Sequence, residues 1–126
     1  MKVIIAGGRD FQPSEYRVFS WSTGHRDAHK VLDLLHKHMK ITEVVCGGAK
    51  GADSFGKVWA EENSIPVKMF MANWGRFGRG AGPIRNKAMA DCADALIAFP
   101  GDRGTRDMLE RAGAKKLAVI NLDEEG

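Results

Sequence analysis

The sequence predicts a Rossmann-like α/β domain, a doubly wound parallel sheet of five strands with helices on both faces. Two observations carry that prediction. Short apolar runs rich in Val, Ile or Leu alternate with amphipathic stretches of helical period. Three of those runs also end at glycines from which a helix restarts: Val3-Ile4-Ile5-Ala6 before Gly7-Gly8-Arg9-Asp10, Val44-Val45-Cys46 before Gly47-Gly48-Ala49-Lys50-Gly51-Ala52-Asp53, and Ala95–Phe99 before Pro100-Gly101-Asp102-Arg103-Gly104-Thr105.

The strands are expected at 2–6, 42–46, 66–70, 94–99 and 117–121. They are continuously apolar, as strands of a parallel sheet covered on both faces should be. Between them, 25–39 sets Ala28, Val31, Leu32, Leu35 and Met39 on one helical face. Residues 52–63 group Phe55, Val58 and Trp59, with Lys57, Glu61 and Glu62 outward. Residues 83–92 carry Ile84, Ala88 and Met89, and 105–113 carry Met108, Leu109 and Ala112. Right-handed crossovers then wind the helices onto both faces. Two segments exceed the minimal unit. Residues 11–24 place Tyr16, Phe19 and Trp21 at near-helical spacing and read as a short extra helix or a lid. Residues 71–83 form a long connection, and long loops in compact domains usually carry function or are disordered. The acidic end, Asp123-Glu124-Glu125, reads as a frayed tail.

The 126 residues suffice for one domain, 1–126, and hardly for two. With 44% hydrophobic and 28% charged residues, the composition is that of an ordinary globule. A net charge of +3 suits an anionic ligand without implying nucleic acid. Cys46 and Cys92 form neither a disulfide framework nor a metal motif and are expected to be buried free thiols. The first apolar run is too short for a signal-peptide core, and no stretch approaches a membrane span. The chain is therefore expected in the cytoplasm.

In an open parallel sheet, ligands sit beyond the carboxyl ends of the strands, where the strand order switches. With the first strand central, its glycine loop faces the Pro100–Thr105 loop there, and Gly47–Asp53 flanks both. Glycines let backbone N–H groups approach a phosphate, and the helix that follows adds free N–H groups and a positive dipole end. The candidate ligand-binding residues are Gly7, Gly8, Arg9, Asp10, Gly47, Gly48, Lys50, Gly51, Asp53, Arg79, Arg85, Asn86, Pro100, Gly101, Gly104 and Thr105. From Met71 to Ala90 stand Arg76, Arg79, Arg85 and Lys87 and no acid. Arginine grips phosphate bidentately, each charge-assisted bond contributing about 1.5–3 kcal/mol. Trp74 and Phe77 alternate with these cations and either stack a base or pack a loop or a subunit interface. Lys50 either reaches a phosphate or is solvated; the loop is not a Walker motif, since no Ser or Thr follows the lysine. Asp53 is a ligand contact or a helix cap, and Thr105 a contact or part of the helix start. Arg85 contacts ligand or pairs with Asp91 or Asp94, and Arg111 falls on an outer helix face. His25 and His29 stand four apart without a third partner, so no metal site is expected.

These residues together resemble the SLOG superfamily of Rossmann-like proteins, which includes the DNA-processing protein DprA and the Lonely Guy phosphoribohydrolases. The likeness is to its YspA, or YpsA-related, branch. It runs through Ala-Gly-Gly-Arg-Asp-Phe, Cys-Gly-Gly-Ala-Lys-Gly-Ala-Asp, Ala-Gly-Pro-Ile-Arg-Asn and Ala-Asp-Ala-Leu-Ile-Ala-Phe, and so covers nearly the whole chain. The resemblance implies binding of a nucleotide-derived small molecule of NAD or ADP-ribose type, in a sensor or a signal-sequestering protein, and an origin in bacteria or phages (then host cytoplasm). Enzymatic relatives carry a glutamate three residues after the threonine, where this chain has Met108, and a glycine where it has Asp102. Asp107 and Glu110 flank the Met108 position and are expected to face elsewhere, with Asp107 adding negative charge to the first turn of its helix. A carboxylate is needed near the sugar to cleave a ribose–base bond. An N-glycosidic nucleotide hydrolase using Asp10, Asp53 or Asp107 is therefore the alternative, and single-stranded DNA binding a further one. No cofactor is expected; nucleic acid and membrane are disfavoured as partners, and a homodimer or higher homo-oligomer is expected.

Overall fold

Alternate residues of each central strand belong to two separate cores, and this organises the molecule. The computed structural model describes residues 1–8, 11, 18–20, 24–48 and 51–122, with backbone alone at 18–20, 24–26 and Asp53. Its elements are β1 (Lys2–Ala6), β2 (Val18–Ser20), β3 (Gly24–Arg26), α1 (Ala28–Met39), β4 (Glu43–Cys46), α2 (Ala52–Glu62), β5 (Val67–Met69), α3 (Trp74–Phe77), α4 (Ala81–Cys92), β6 (Ala95–Ala98), α5 (Arg103–Ala114) and β7 (Ala118–Asn121). The five-stranded sheet is all-parallel, in the order β5-β4-β1-β6-β7. Ile4 is in register with Val45 on one side and Leu96 on the other. Val3, Ile5, Val44, Cys46 and Ile97 pack with Ala28, Leu32 and Trp59 of α1 and α2. Ile4, Ala6, Val45, Leu96 and Ala98 pack with Met89, Met108 and Ala112 of α4 and α5. Both faces are covered, so the strands need no polar alternation.

The strands match the predicted ones to within a residue at each end. The helices differ more. α1 starts at Ala28 rather than residue 25, because Asp27 caps it, accepting the Lys30 N–H at 3.0 Å, and residues 24–26 pair antiparallel with 18–20. That hairpin takes up part of the segment read as a helix or lid; residues 12–17 and 21–23 lie outside the described residues, as does the tail at 123–126. Asn73 opens α3 by accepting the Arg76 N–H at 3.1 Å, and a 3-10 turn at Gly78–Gly80 runs into α4. The expected loop at 71–83 is thus largely helical, its four glycines having masked the pattern. α4 begins at Ala81, which puts Pro83 in the first turn, where its missing N–H has no helical acceptor to lose. Val58 and Ile84, expected inside, are about half exposed, at 51% and 50%. The sheet-facing place in α2 is taken by Gly56, where an added Cβ would lie 2.9 Å from Ile5.

Trp59 donates from Nε1 to Asp33 Oδ1 at 2.8 Å and joins α2 to α1. His29 lies on that solvated face between Asp33 (3.4 Å) and Glu62 (3.7 Å). Cys46 is buried as expected; Cys92 is only half-buried, donates to the Met89 carbonyl, and has its thiol pushed up by burial. No helix among the described residues is long and apolar enough to cross a membrane.

Asp91 ties α4 to α5. Lys115 Nζ meets its Oδ1 at 2.8 Å and Lys87 Nζ its Oδ2 at 3.1 Å, and these lysines, Lys115 first, hold its carboxyl below the usual value. A carboxyl whose pKa falls on folding stabilises above its unfolded value and loses that contribution as pH falls through its folded one. Asp91→Asn is therefore expected to melt below wild type at neutral pH, with the gap starting to close below about pH 4 and vanishing once the pH is below the lowered folded value. A gap that persists in acid would refute this.

Candidate functional site

The order of strands reverses between β1 and β6, and the carboxyl ends of the two strands are joined there backbone to backbone. The Gly8 N–H donates to the Pro100 carbonyl at 2.9 Å. A Cβ on Gly8 would lie 3.1 Å from the Gly101 Cα, and one on Gly7 would lie 2.5 Å from the Ala52 Cβ. The Ala52 N–H, at the start of α2, donates to the Gly8 carbonyl at 3.3 Å. These glycines therefore bring the loops into contact, and the first N–H of α2 is spent on the protein itself. Phe11 stacks over the junction, 4.9 Å from the Phe99 ring.

Beside this junction lies a cavity of about 1120 Å³. Ala6, Gly7, Gly47 and Gly48 line it from the ends of β1 and β4. Gly48 has φ +75°, and a side chain there would also collide with the Met71 sulfur. The β5–α4 connection contributes an apolar side with Met71, Ala72 and Trp74. The Trp74 ring lies against Gly82, within 3.4 Å of where a Cβ would stand, and remains 55% exposed. The opposite side is the start of α5, from Asp102 to Met108.

Arg79, Arg85 and Arg103 supply the cations. Arg85 donates from Nη1 to the Gly47 carbonyl at 2.8 Å and from Nε to Asn86 Oδ1 at 3.3 Å, which fixes the guanidinium and leaves part of its fork unused. The alternative pairing of Arg85 with Asp91 or Asp94 is not what forms: Asp91 holds Lys87 and Lys115, and Asp94 accepts the Lys2 N–H. Asn86, 3% exposed, donates to Asp107 Oδ2 at 2.9 Å and to the Gly104 carbonyl at 3.3 Å. Asp107 Oδ2 also accepts Arg111 Nε at 2.9 Å.

Of the predicted residues, Gly7, Gly47, Gly48, Arg79, Arg85, Asn86, Gly104 and Thr105 meet at this cavity. Gly8, Gly51, Pro100 and Gly101 do not line it. Gly8, Pro100 and Gly101 close the β1–β6 junction, and Gly51 (φ 76°) opens α2. Arg9, Asp10 and Lys50 lie outside the described residues. Asp53 is the second residue of α2, and the cap position belongs to Gly51. Thr105 is buried with its hydroxyl against Gly101. Three further expectations are corrected. Asp107 lines the cavity rather than facing away, and Arg111 braces it. Because α5 starts at Arg103, Asp107 also falls beyond the first turn, where Asp102 is the acid at the cap. The pairing of Asp107 with Arg111 at helical spacing was the available signal. Met108 is 1% exposed, belongs to the core under α5 and still borders the cavity. No group of three or more potential metal ligands occurs among the described residues.

The sequence model of the YspA, cpYpsA-related SLOG family matches residues 1–77. The chain belongs to this family. Over 132 aligned residues, spanning 98% of both chains, it is 31% identical to the Gene 61 protein of Mycobacterium phage D29. No solved structure matches it. Within this SLOG protein the family match covers the glycine loops after β1 and β4 and the Trp74 helix. The cations Arg79, Arg85 and Arg103 and the α5 side lie beyond it.

Proposed function

We propose that this SLOG protein binds a phosphorylated nucleotide-derived ligand of NAD or ADP-ribose type and acts as a sensor or by sequestering a signal. One observation carries the reading: the cavity at the strand switch combines three arginines with an exposed tryptophan. Cations to hold phosphates and a ring to stack a base are what such a ligand requires. A volume of about 1120 Å³ is generous for a mononucleotide and suits a larger ligand. The proposed site of action is the cytoplasm. Self-association into a homo-oligomer goes with the proposal, and sedimentation tests it.

Thermal denaturation with ADP-ribose, NAD, ADP and AMP tests the reading. A ligand at a hundred times its Kd stabilises by about 2.7 kcal/mol. The expected result is a raised melting temperature with the ligand recovered intact by chromatography. No shift with any of the four would refute it.

The N-glycosidic hydrolase remains the second reading, and Asp107 at the cavity favours it. A carboxylate there has the chemistry to activate water or stabilise a cationic sugar. Release of free base over many turnovers, abolished in Asp107→Asn, would establish it. Against it stands Met108, a thioether where enzymatic relatives carry the carboxylate.

A further inference from the structure

The α5 side of the cavity offers a phosphate no net positive charge. Asp102 and Asp107 line it together with Arg103, and Arg111 pairs with Asp107 at 2.9 Å, so acids and bases cancel there. Asp102 Oδ1 accepts the Gly104 N–H at 3.2 Å, so the positive end of α5 is capped by the chain's own carboxylate. An incoming phosphate would meet that negative charge. Asp107 is fixed differently. Its Oδ2 takes both protein donors, Asn86 Nδ2 and Arg111 Nε, each at 2.9 Å, and Oδ1 has no donor among the described residues. Asn86 is buried and Arg111 half-buried, so the carboxylate is braced from two helices. A braced carboxylate on a cavity wall, with acceptor capacity to spare, suits a ligand that brings hydroxyl donors. Arg79 and Arg85 approach from the 3-10 turn and α4, where no acid stands between residues 71 and 90.

We propose that Asp107 accepts the ribose hydroxyls of a nucleotide whose phosphates lie toward Arg79 and Arg85. The inference rests on the nucleotide-binding reading above and narrows it to ribonucleotides with a free vicinal diol. A 2′-deoxyribose leaves Asp107 without its donor. A 2′-phosphate sets a second anion against Asp107 and Asp102, which opposes binding at short range in a partly desolvated site.

Calorimetry with ADP, 2′-deoxy-ADP and ADP bearing a 2′-phosphate tests this, because each has a single ribose. The wild-type chain is expected to bind 2′-deoxy-ADP about tenfold or more weakly than ADP, the loss of a hydrogen bond to a charged group. The 2′-phosphorylated compound is expected to bind more weakly still. In Asp107→Asn the preference for ADP over 2′-deoxy-ADP should shrink and the penalty on the 2′-phosphate should fall. Equal wild-type affinity for ADP and 2′-deoxy-ADP would overturn this inference and leave the nucleotide reading standing. Failure of all three, and of ADP-ribose, to bind would overturn both. The ligand series is read on the wild-type chain, so a variant that failed to fold would not blunt the test.

Discussion

Gly101→Val is expected to destabilise the protein by about 1–3 kcal/mol or more and to abolish ligand binding. A Cβ at this position lands on the Thr105 hydroxyl, 2.7 Å from the Thr105 Cβ and 2.8 Å from the Gly8 nitrogen. Neither neighbour can retreat. Thr105 is buried in the first turn of α5, and the Gly8 N–H is bonded to the Pro100 carbonyl. The added side chain must therefore part the β1 and β6 loops, and α5, which forms one side of the cavity, moves with them. Gly8→Val should act in the same way, by displacing backbone and not by filling the space of a phosphate. Gly113 is the contrast. It lies in α5 with nothing within 4 Å of an added Cβ, so Gly113→Ala should stabilise by up to about 1 kcal/mol. Thermal denaturation of both variants decides the matter, and a Gly101→Val protein that melts like wild type would refute the junction.

Arg85→Ala is expected to weaken binding of ADP-ribose or ADP by about 1.5–3 kcal/mol, roughly ten- to a hundredfold in Kd. Among the described residues, Arg85 is the cavity cation with its direction fixed, by the Gly47 carbonyl and Asn86. Losing it removes the proposed phosphate donor and also the Nη1 hydrogen bond to the Gly47 carbonyl after β4. Arg106→Ala is the proper control, being exposed on α5 and away from the cavity. Arg111, inert by the sequence pattern, is not a control, because its guanidinium braces Asp107. Calorimetry on Arg85→Ala and Arg106→Ala should separate them clearly, and equal losses would remove Arg85 from the phosphate site.

Strand periodicity and glycine punctuation made the sheet readable from the chain. Val3–Ala6, Val44–Cys46 and Ala95–Ala98 are apolar at every position, which a strand satisfies only when both faces are covered, and this is a local property. The same pattern pointed to the strand ends and brought Gly7, Gly47, Gly48 and Thr105 to one cavity, because topology puts every such loop on one edge. What each polar side chain does there depended on partners distant in sequence. Gly8 and Gly101 read as phosphate cradles but pack against each other, since only the folded sheet brings loops so far apart in sequence close enough that a Cβ on Gly8 would stand 3.1 Å from the Gly101 Cα. Asp107 read as outward until Asn86 of α4 and its own neighbour Arg111 turned it into a cavity wall. The sequence by itself determined the parallel α/β architecture, since local hydrophobic period suffices for that. The tertiary structure alone decided which glycines pack, which arginine is aimed and which carboxylate faces the cavity, because hydrogen bonds and close backbone approaches are set by distances between helices and loops that no local pattern encodes.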